Sequence, residues 1–386
     1  VSTSPDTITR IETFLVPPRW LFVRIETAEG LVGWGEATCE GRSETVRAAV
    51  EQLAELAIGR DPGRIEDLWQ LLTNGSFYRG GPILASAVAG IDQALWDILG
   101  KRLGVPVHQL LGGAVRDRIR IYGWIGGDEP GGVAEAAAAA RDNGLTAIKM
   151  NATPAFGKLA TRAEVSAAVA RAEAAREAMG EDGDVAIDFH GRVSFPAART
   201  LIKALEPVAP MFIEEPVVPE NSHLFGDLVA HTHLPIATGE RLYNRQEFLP
   251  VLCAGVGVVQ PDLSHAGGIT ETRKIASLAD AHGALLAPHC PLGPLALAAC
   301  LQVGFATSNH VIQEQSLGIH YNQGADLLDL VLDSSMLATT DGWLPRWDAP
   351  GLGIEIDEAA VRRADQSPHG WRGPVWQHPD GSYAEW

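Results

Sequence analysis

Eight short apolar runs alternate with polar, amphipathic stretches between Arg118 and Gln315, and this alternation restricts the fold more than any other feature of the chain. The runs cover residues 119–125, 147–151, 185–190, 212–215, 236–240, 258–263, 285–289 and 311–315. Each is too short for a core helix, so each is predicted as a buried strand. Helical patterns lie between them, for example at 134–141 and in the Ala- and Glu-rich segment 162–179. Eight strands in strict alternation with helices favour closure into a parallel α/β barrel over an open sheet. The predicted barrel spans residues 118–332.

The chain around it reads differently. Residues 7–16, 20–27 and 31–38 are β-rich and separated by Pro17-Pro18 and Gly30, which predicts a three-stranded meander. Helical periodicity follows at 43–58, 65–73 and 83–103, the last stopping at Gly104 before Pro106. Residues 1–117 are therefore expected to form an α+β domain. The segment 333–386 is rich in Trp, Pro and Gly, lacks the alternation, and is expected to return to the first domain. At 386 residues, one large and one smaller folding unit are what surface-to-volume scaling leads one to expect.

Composition narrows the function classes. A formal charge of -18 with no local basic stripe speaks against nucleic-acid binding. No apolar run is read as approaching the roughly 18–20 residues that span a bilayer, so no membrane partner is expected. Residues 1–10 show neither the basic flank nor the apolar stretch of a secretory signal, and a cytoplasmic location is the expectation. Cys39, Cys253, Cys290 and Cys300 have no CxxC pairing and are expected to be reduced core residues. An acidic protein that handles an anionic ligand needs local positive charge, and a bound cation supplies it.

In a parallel barrel the chemistry sits at the carboxyl ends of the strands. Asp188 ends the third predicted strand, Glu214 follows 26 residues later near the end of the fourth, and Glu240 follows 26 later at the end of the fifth. Any one of these acids alone would be read as an ion-pair partner or helix cap. Three in matched register would repel one another unless a cation lay between them. All-oxygen ligands without Cys or His favour a hard ion, and a site open to water and substrate suits Mg²⁺ better than a closed Ca²⁺ cage. His190 follows Asp188 by two residues, so strand periodicity predicts that it shares the interior. His289 ends the seventh strand across the mouth, and Asp262 ends the sixth, placed to bond it. Two histidines on opposite walls can take and give a proton at opposite ends of a substrate.

The series Lys149-Met150-Asn151, Asp188-Phe189-His190-Gly191-Arg192, Ile213-Glu214-Glu215-Pro216, Gly239-Glu240-Arg241, Gln260-Pro261-Asp262 through Gly267-Gly268, and Pro288-His289-Cys290-Pro291 resembles the mandelate racemase branch of the enolase superfamily, and within it the sugar-acid dehydratases. The resemblance runs nearly end to end. It implies an α+β capping domain over a modified (β/α)7β TIM barrel. It implies Asp188, Glu214 and Glu240 as ligands of one Mg²⁺ per subunit, His289 as base, Asp262 as its dyad partner and His190 as acid. It also implies that Glu314 and Lys149 meet the substrate carboxylate, and that Asn151 replaces the second lysine of the racemases, which fits dehydration. Arg19 and Tyr78, in the cap segments 17–20 and 77–82, are expected to contact the sugar tail. The implied reaction is dehydration of an aldonate, D-galactonate first among candidates, and the implied assembly is a homo-oligomer, with an octamer as the candidate size.

Other readings stay open at this point. The same fold could act on mannonate, gluconate or a pentonate, or epimerise its substrate. Lys149 could be the nucleophile of a Schiff-base aldolase. The chain could also be a sugar-acid binding protein without turnover. Gly255-Val256-Gly257 is read as a turn, His231 and His233 as surface residues, and Glu215 and His265 as either supporting partners of the site or packing residues.

Overall fold

The computed structural model describes residues 6–127, 129–154, 156–317, 327–367 and 371–385. Strands β1 (Ile8–Val16), β2 (Trp20–Thr27) and β3 (Val32–Glu36) pair antiparallel in that order. Both faces of this sheet are covered, and the period of two sorts its side chains. Leu21, Val23 and Ile25 join the cap's own core with Ile91, Ala94, Leu95 and Ile98. Trp20 and Phe22 point the other way, into the core shared with the barrel.

The helices α1 (Ser43–Ala57), α2 (Ile65–Asn74) and α3 (Gly81–Leu103) complete the cap. Pro82 opens α3, and Gly104 closes it in the left-handed conformation (φ 69°) with Lys101 and Arg102 in the last turn. Backbone meets backbone where β3 crosses α3: a Cβ on Gly35 would lie 2.1 Å from the Gly90 carbonyl oxygen, so only glycine fits. Contrary to the reading of the sequence, α3 is long and apolar enough to cross a membrane by length and composition. It is a core helix, with 72% of its apolar window buried inside the molecule.

After the short α4 (Val107–Leu110) come eight parallel strands: β4 (Arg118–Ile125), β5 (Ala147–Asn151), β6 (Asp184–Asp188), β7 (Ile213–Glu214), β8 (Ile236–Thr238), β9 (Val258–Val259), β10 (Leu285–Leu286) and β11 (Gln313–Gln315). Helices α5 (Pro130–Asp142), α6 (Arg162–Met179), α7 (Phe195–Leu205), α8 (Phe225–His231), α9 (Arg245–Cys253), α10 (Gly268–Ala281) and α11 (Pro294–Ala306) connect them. β11 pairs with β4, and the residues before it pair with β10 through the Leu286–His310 bridge and the Val311 N–H to Leu286 carbonyl bond of 2.9 Å. The ring closes as a (β/α)7β barrel under an α+β cap, the expected class. Several strands are shorter than predicted, although backbone hydrogen bonds to the neighbouring strand continue past them, as from the Phe189 N–H to the Glu214 carbonyl and from the Gln260 N–H to the Thr238 carbonyl, both 2.9 Å.

Inside the barrel, Tyr122, Ala147, Ala186, Phe212, Ala237, Val258, Ala287 and Ile312 form one packed layer. The alanines make room for Tyr122 and Phe212, whose rings lie 6.1 Å apart edge to face. Two residues further along each chain, the next inward positions are Trp124, Lys149, Asp188, Glu214, Gly239, Gln260, His289 and Glu314. The apolar layer is the floor of the mouth, and the polar layer stands on it.

The chain beyond residue 332 serves both units. β12 (Trp343–Pro345) pairs antiparallel with β4 of the barrel. α12 (Glu358–Ala364) lies against β1, where Asp365 accepts the Leu15 N–H at 2.7 Å and Glu358 pairs with Arg24 at 3.0 Å. β13 (Trp376–Gln377) and β14 (Tyr383–Ala384) then form a small hairpin.

Candidate active site

The polar layer opens into a cavity of about 660 Å³ at the barrel mouth, lined among others by Lys149, Asn151, His190, Glu240, His289 and Glu314. Lys149 is buried on β5 and bridges two acids, with Nζ 2.5 Å from Glu214 Oε1 and 2.9 Å from Glu314 Oε1. Asp188 Oδ2 is 3.9 Å away. Burial works against the lysine charge, but Glu214 and Glu314 overcome it and hold its pKa well above the ordinary range. Gln260 donates to the other Glu214 oxygen at 2.7 Å, and Glu314 accepts the Cys290 N–H at 3.0 Å.

Asp188 ends β6, and the chain turns at once: His190 is in the left-handed region (φ 51°), so it stands beyond the strand and not on it. Strand periodicity was therefore the wrong reason for its position. The turn returns the side chain to the same acid, with Nε2 2.7 Å from Asp188 Oδ2, while the His190 N–H donates to Asp188 Oδ1 at 2.7 Å. Glu240 follows Gly239 (φ 145°), where a Cβ would meet the Phe248 ring at 2.7 Å and the Gln260 nitrogen at 2.9 Å. That glycine lets the chain bend so that Glu240 reaches inward from just past β8.

Ligand atoms of Asp188, His190 and Glu240 lie within 4.8 Å of one another. Glu214 stands beside this group on Lys149 and Gln260 and is not within it. Asp188 Oδ2 and Glu240 Oε2 are buried, each with an imidazole nitrogen beside it, His190 Nε2 at 2.7 Å and His289 Nε2 at 3.2 Å. Burial raises the Glu214 pKa well above the carboxylate range, and Asp188, Glu314 and Glu240 add to this despite Lys149. Asp188 is held below its ordinary range: burial opposes this, and His190 and Lys149 prevail. Buried, clustered carboxylate oxygens that meet only an imidazole are the donor chemistry of a hard divalent cation, and these residues fit one.

Across the mouth, His289 Nδ1 lies 2.8 Å from Asp262 Oδ2, and its Nε2 is 3.2 Å from Glu240 Oε2. Burial disfavours the imidazolium, yet Glu240, Glu314 and Asp262 outweigh it and raise the His289 pKa well above the ordinary range. Glu215 turns away from the cavity and binds the Gly239 N–H at 3.1 Å and Arg241 at 2.7 Å, with a short hydrogen bond from Thr238. It braces the turn that carries Glu240.

The cap and the tail close the cavity. Arg19 lines it, its guanidinium 4.9 Å from the ring centroids of both Trp20 and Trp371. Arg192 lies 4.4 Å over Trp376. Tyr78 does not line the cavity: it is 84% exposed and stacks edge-on against Phe77, while Pro82 of the same segment does reach the wall. Asn151 accepts from Trp124 Nε1 at 3.2 Å. Trp371 and Trp376 were not foreseen as site residues, although the Trp-rich tail was visible in the sequence. Gln260 lay within a quoted motif, and the period of two from Val258 in the floor would have found it.

Residues 13–112 match the family model described as the mandelate racemase / muconate lactonizing enzyme N-terminal domain, and residues 132–360 match the enolase C-terminal domain-like model. A D-galactonate dehydratase from Ralstonia nicotianae is 56% identical over 380 residues, covering 98% of this chain and 100% of its own. A protein of the same name from Pectobacterium atrosepticum is 54% identical with the same coverage. Among solved structures, an enolase from Agrobacterium radiobacter bound to Na and L-malate superposes with a TM-score of 0.89 at 35% identity, covering 98% of this chain and 100% of that one. With both halves of the molecule matched, the chain belongs to the mandelate racemase / muconate lactonizing enzyme family of the enolase superfamily.

Proposed function

We propose that this enzyme dehydrates D-galactonate to 2-dehydro-3-deoxy-D-galactonate with one Mg²⁺ per subunit. Enzymes of this superfamily use a divalent metal. Asp188, Glu214 and Glu240 are the residues that would hold it, and the relatives' name supplies the substrate. The observation that carries the reading is the pair of histidines flanking the acids, His289 beside Glu240 and His190 beside Asp188. When bound, the cation stabilises the negative charge that builds on the substrate carboxylate as the C2 proton leaves.

The remaining work falls to side chains. His289 Nε2 takes the C2 proton, and Asp262 at Nδ1 fixes the tautomer and stabilises the imidazolium. Glu240 must give up its contact with Nε2 for the base to reach the substrate, and with that contact goes the largest of the charges that hold His289 protonated, leaving the neutral ring the reaction needs. Lys149 presents a permanent positive charge where the carboxylate gains density, and Glu314 holds Lys149 in place. His190 gives a proton to the 3-hydroxyl, the C3–O bond breaks, water leaves, and the enol tautomerises to the 2-keto acid. The family resemblance also leads us to propose a homo-oligomer, which light scattering checks.

Two competing chemistries meet specific obstacles. A Schiff-base aldolase needs a neutral lysine, and Lys149 is held protonated by two acids. Two-base racemisation needs a base on the β5 face, where Asn151 stands instead of lysine. A screen of aldonates for 2-keto acid formation, with and without chelator, tests the proposal. D-galactonate should turn over and chelator should stop it; turnover of another aldonate alone, or turnover indifferent to chelator, would refute it.

A further inference from the structure

His265 belongs to no step above, yet it lines the cavity and is 8% exposed. It sits where cap and barrel meet. Its Nε2 lies 3.0 Å from the Thr38 carbonyl oxygen and 3.7 Å from Glu40 Oε2, both in the cap. Its Nδ1 faces Asp262 Oδ2 at 3.7 Å, the same oxygen that meets His289 Nδ1 at 2.8 Å. The two imidazole rings stand 6.4 Å apart. Burial pushes the Asp262 pKa up, and His265 is the first of the groups that together bring it below the ordinary range.

The surrounding contacts show that the cap grips the loop carrying both Asp262 and His265. Gln93 donates to the Leu263 carbonyl at 3.1 Å, Trp69 Nε1 to the Gly267 carbonyl at 2.8 Å, and Asp92 accepts the Thr270 N–H at 3.0 Å. Glu36 in the same cap strand accepts the Gly293 and Ala296 N–H groups at 2.9 and 3.1 Å, just past His289. The segments that carry Asp262 and His289 are thus both tied to one short stretch of cap, Glu36 to Glu40, and His265, with Nδ1 3.7 Å from Asp262 Oδ2, is the cap-anchored side chain beside the carboxylate.

We infer that His265 is a positioning residue: anchored on the Thr38 carbonyl and Glu40, it holds Asp262 in the orientation that serves His289, so that the base is set correctly only when the cap is seated. A displaced Asp262 would leave His289 Nδ1 without its acceptor and the wrong tautomer accessible. The effect belongs in turnover and not in affinity, since His265 acts through Asp262.

This rests on the His289–Asp262 base proposed above, and a double-mutant cycle in the full-length enzyme separates the two claims. His265→Phe should lower kcat roughly ten- to a hundredfold with KM within about threefold, and His265→Gln, which keeps a donor for the Thr38 carbonyl, should recover part of the loss. Added to Asp262→Asn, His265→Phe should cost no further activity, because the group it acts through is already disabled. Full turnover in His265→Phe would overturn the inference, as would multiplicative losses with Asp262→Asn or an equal loss in Phe and Gln variants that tracks a fall in melting temperature. Full turnover in Asp262→Asn itself would instead refute the base assignment on which the inference stands.

Discussion

Asp262 Oδ2 stands 2.8 Å from His289 Nδ1 although the two residues come from different strand ends, β9 and β10, and 27 positions apart. Each is the residue that a period of two carries from the apolar floor into the mouth: Val258 to Gln260 to Asp262, and Ala287 to His289. Barrel geometry, with parallel neighbours in fixed register, turns that sequence interval into a hydrogen bond.

Divalent cations should stabilise the fold through the acids at the mouth. With Mg²⁺ at about a hundredfold over its Kd, mass action adds about 2.7 kcal/mol to unfolding. The upward shift in melting temperature should vanish in Asp188→Asn and Glu240→Gln, as differential scanning calorimetry with Mg²⁺ and with EDTA can show. An undiminished shift in both variants would place the ion elsewhere.

Lys149 is the buried counter-charge of Glu214 and Glu314. Lys149→Met leaves two acids buried without it and should destabilise the protein by about 3–5 kcal/mol at neutral pH. Urea melts of wild type and variant measure the loss.

Much of this site was legible before any coordinates. The interval of 26 residues between Asp188, Glu214 and Glu240 is one strand and helix, which puts Asp188 and Glu214 in register on β6 and β7 and Glu240 two residues past the end of β8. Less legible was how they divide: Lys149 and Gln260 hold Glu214, while His190 joins Asp188 and Glu240. That division depends on side-chain reach across strands, which no spacing encodes. His190 shows the limit of periodicity, since the left-handed turn after Asp188 reset the pattern. Tyr78 shows another: its motif resembled a lid, but whether a loop closes is a matter of tertiary packing, and here the ring faces outward.

The cap–barrel joint should weaken as pH rises from acid to neutral. Glu36 and Asp92 are fully buried acids whose pKa values burial pushes up to about 7, against their hydrogen bonds to Gly293 and Ala296 and to Thr270. The unfolded chain releases these protons near pH 4.5 and 3.8, the native state only near 7. Between those values the native state binds more protons, so stability falls as pH rises and levels off above about 7. Each group contributes on the order of 3–4 kcal/mol to that fall at about 1.4 kcal/mol per pKa unit, from shifts of 4.5 and 3.8 to about 7. Melts of wild type and Glu36→Gln from pH 5 to 8 should show a shallower slope in the variant.

Backbone contact between β3 and α3 leaves no space for a methyl group. Gly35→Ala should destabilise the protein by about 1–3 kcal/mol, because its Cβ would fall 2.1 Å from the Gly90 carbonyl oxygen. Chemical denaturation of this variant beside Gly226→Ala, where the added atom meets nothing within 4 Å, isolates the clash.

The most direct test of the chemistry follows the C2 hydrogen of D-galactonate by proton NMR in D₂O with Mg²⁺, using His190→Asn and His289→Asn. With the acid removed and the base kept, His190→Asn should wash the C2 proton out into solvent while forming little 2-keto acid; with the base removed, His289→Asn should do neither. Washout that persists without His289, or full product formation without His190, would contradict the assignment of the two histidines.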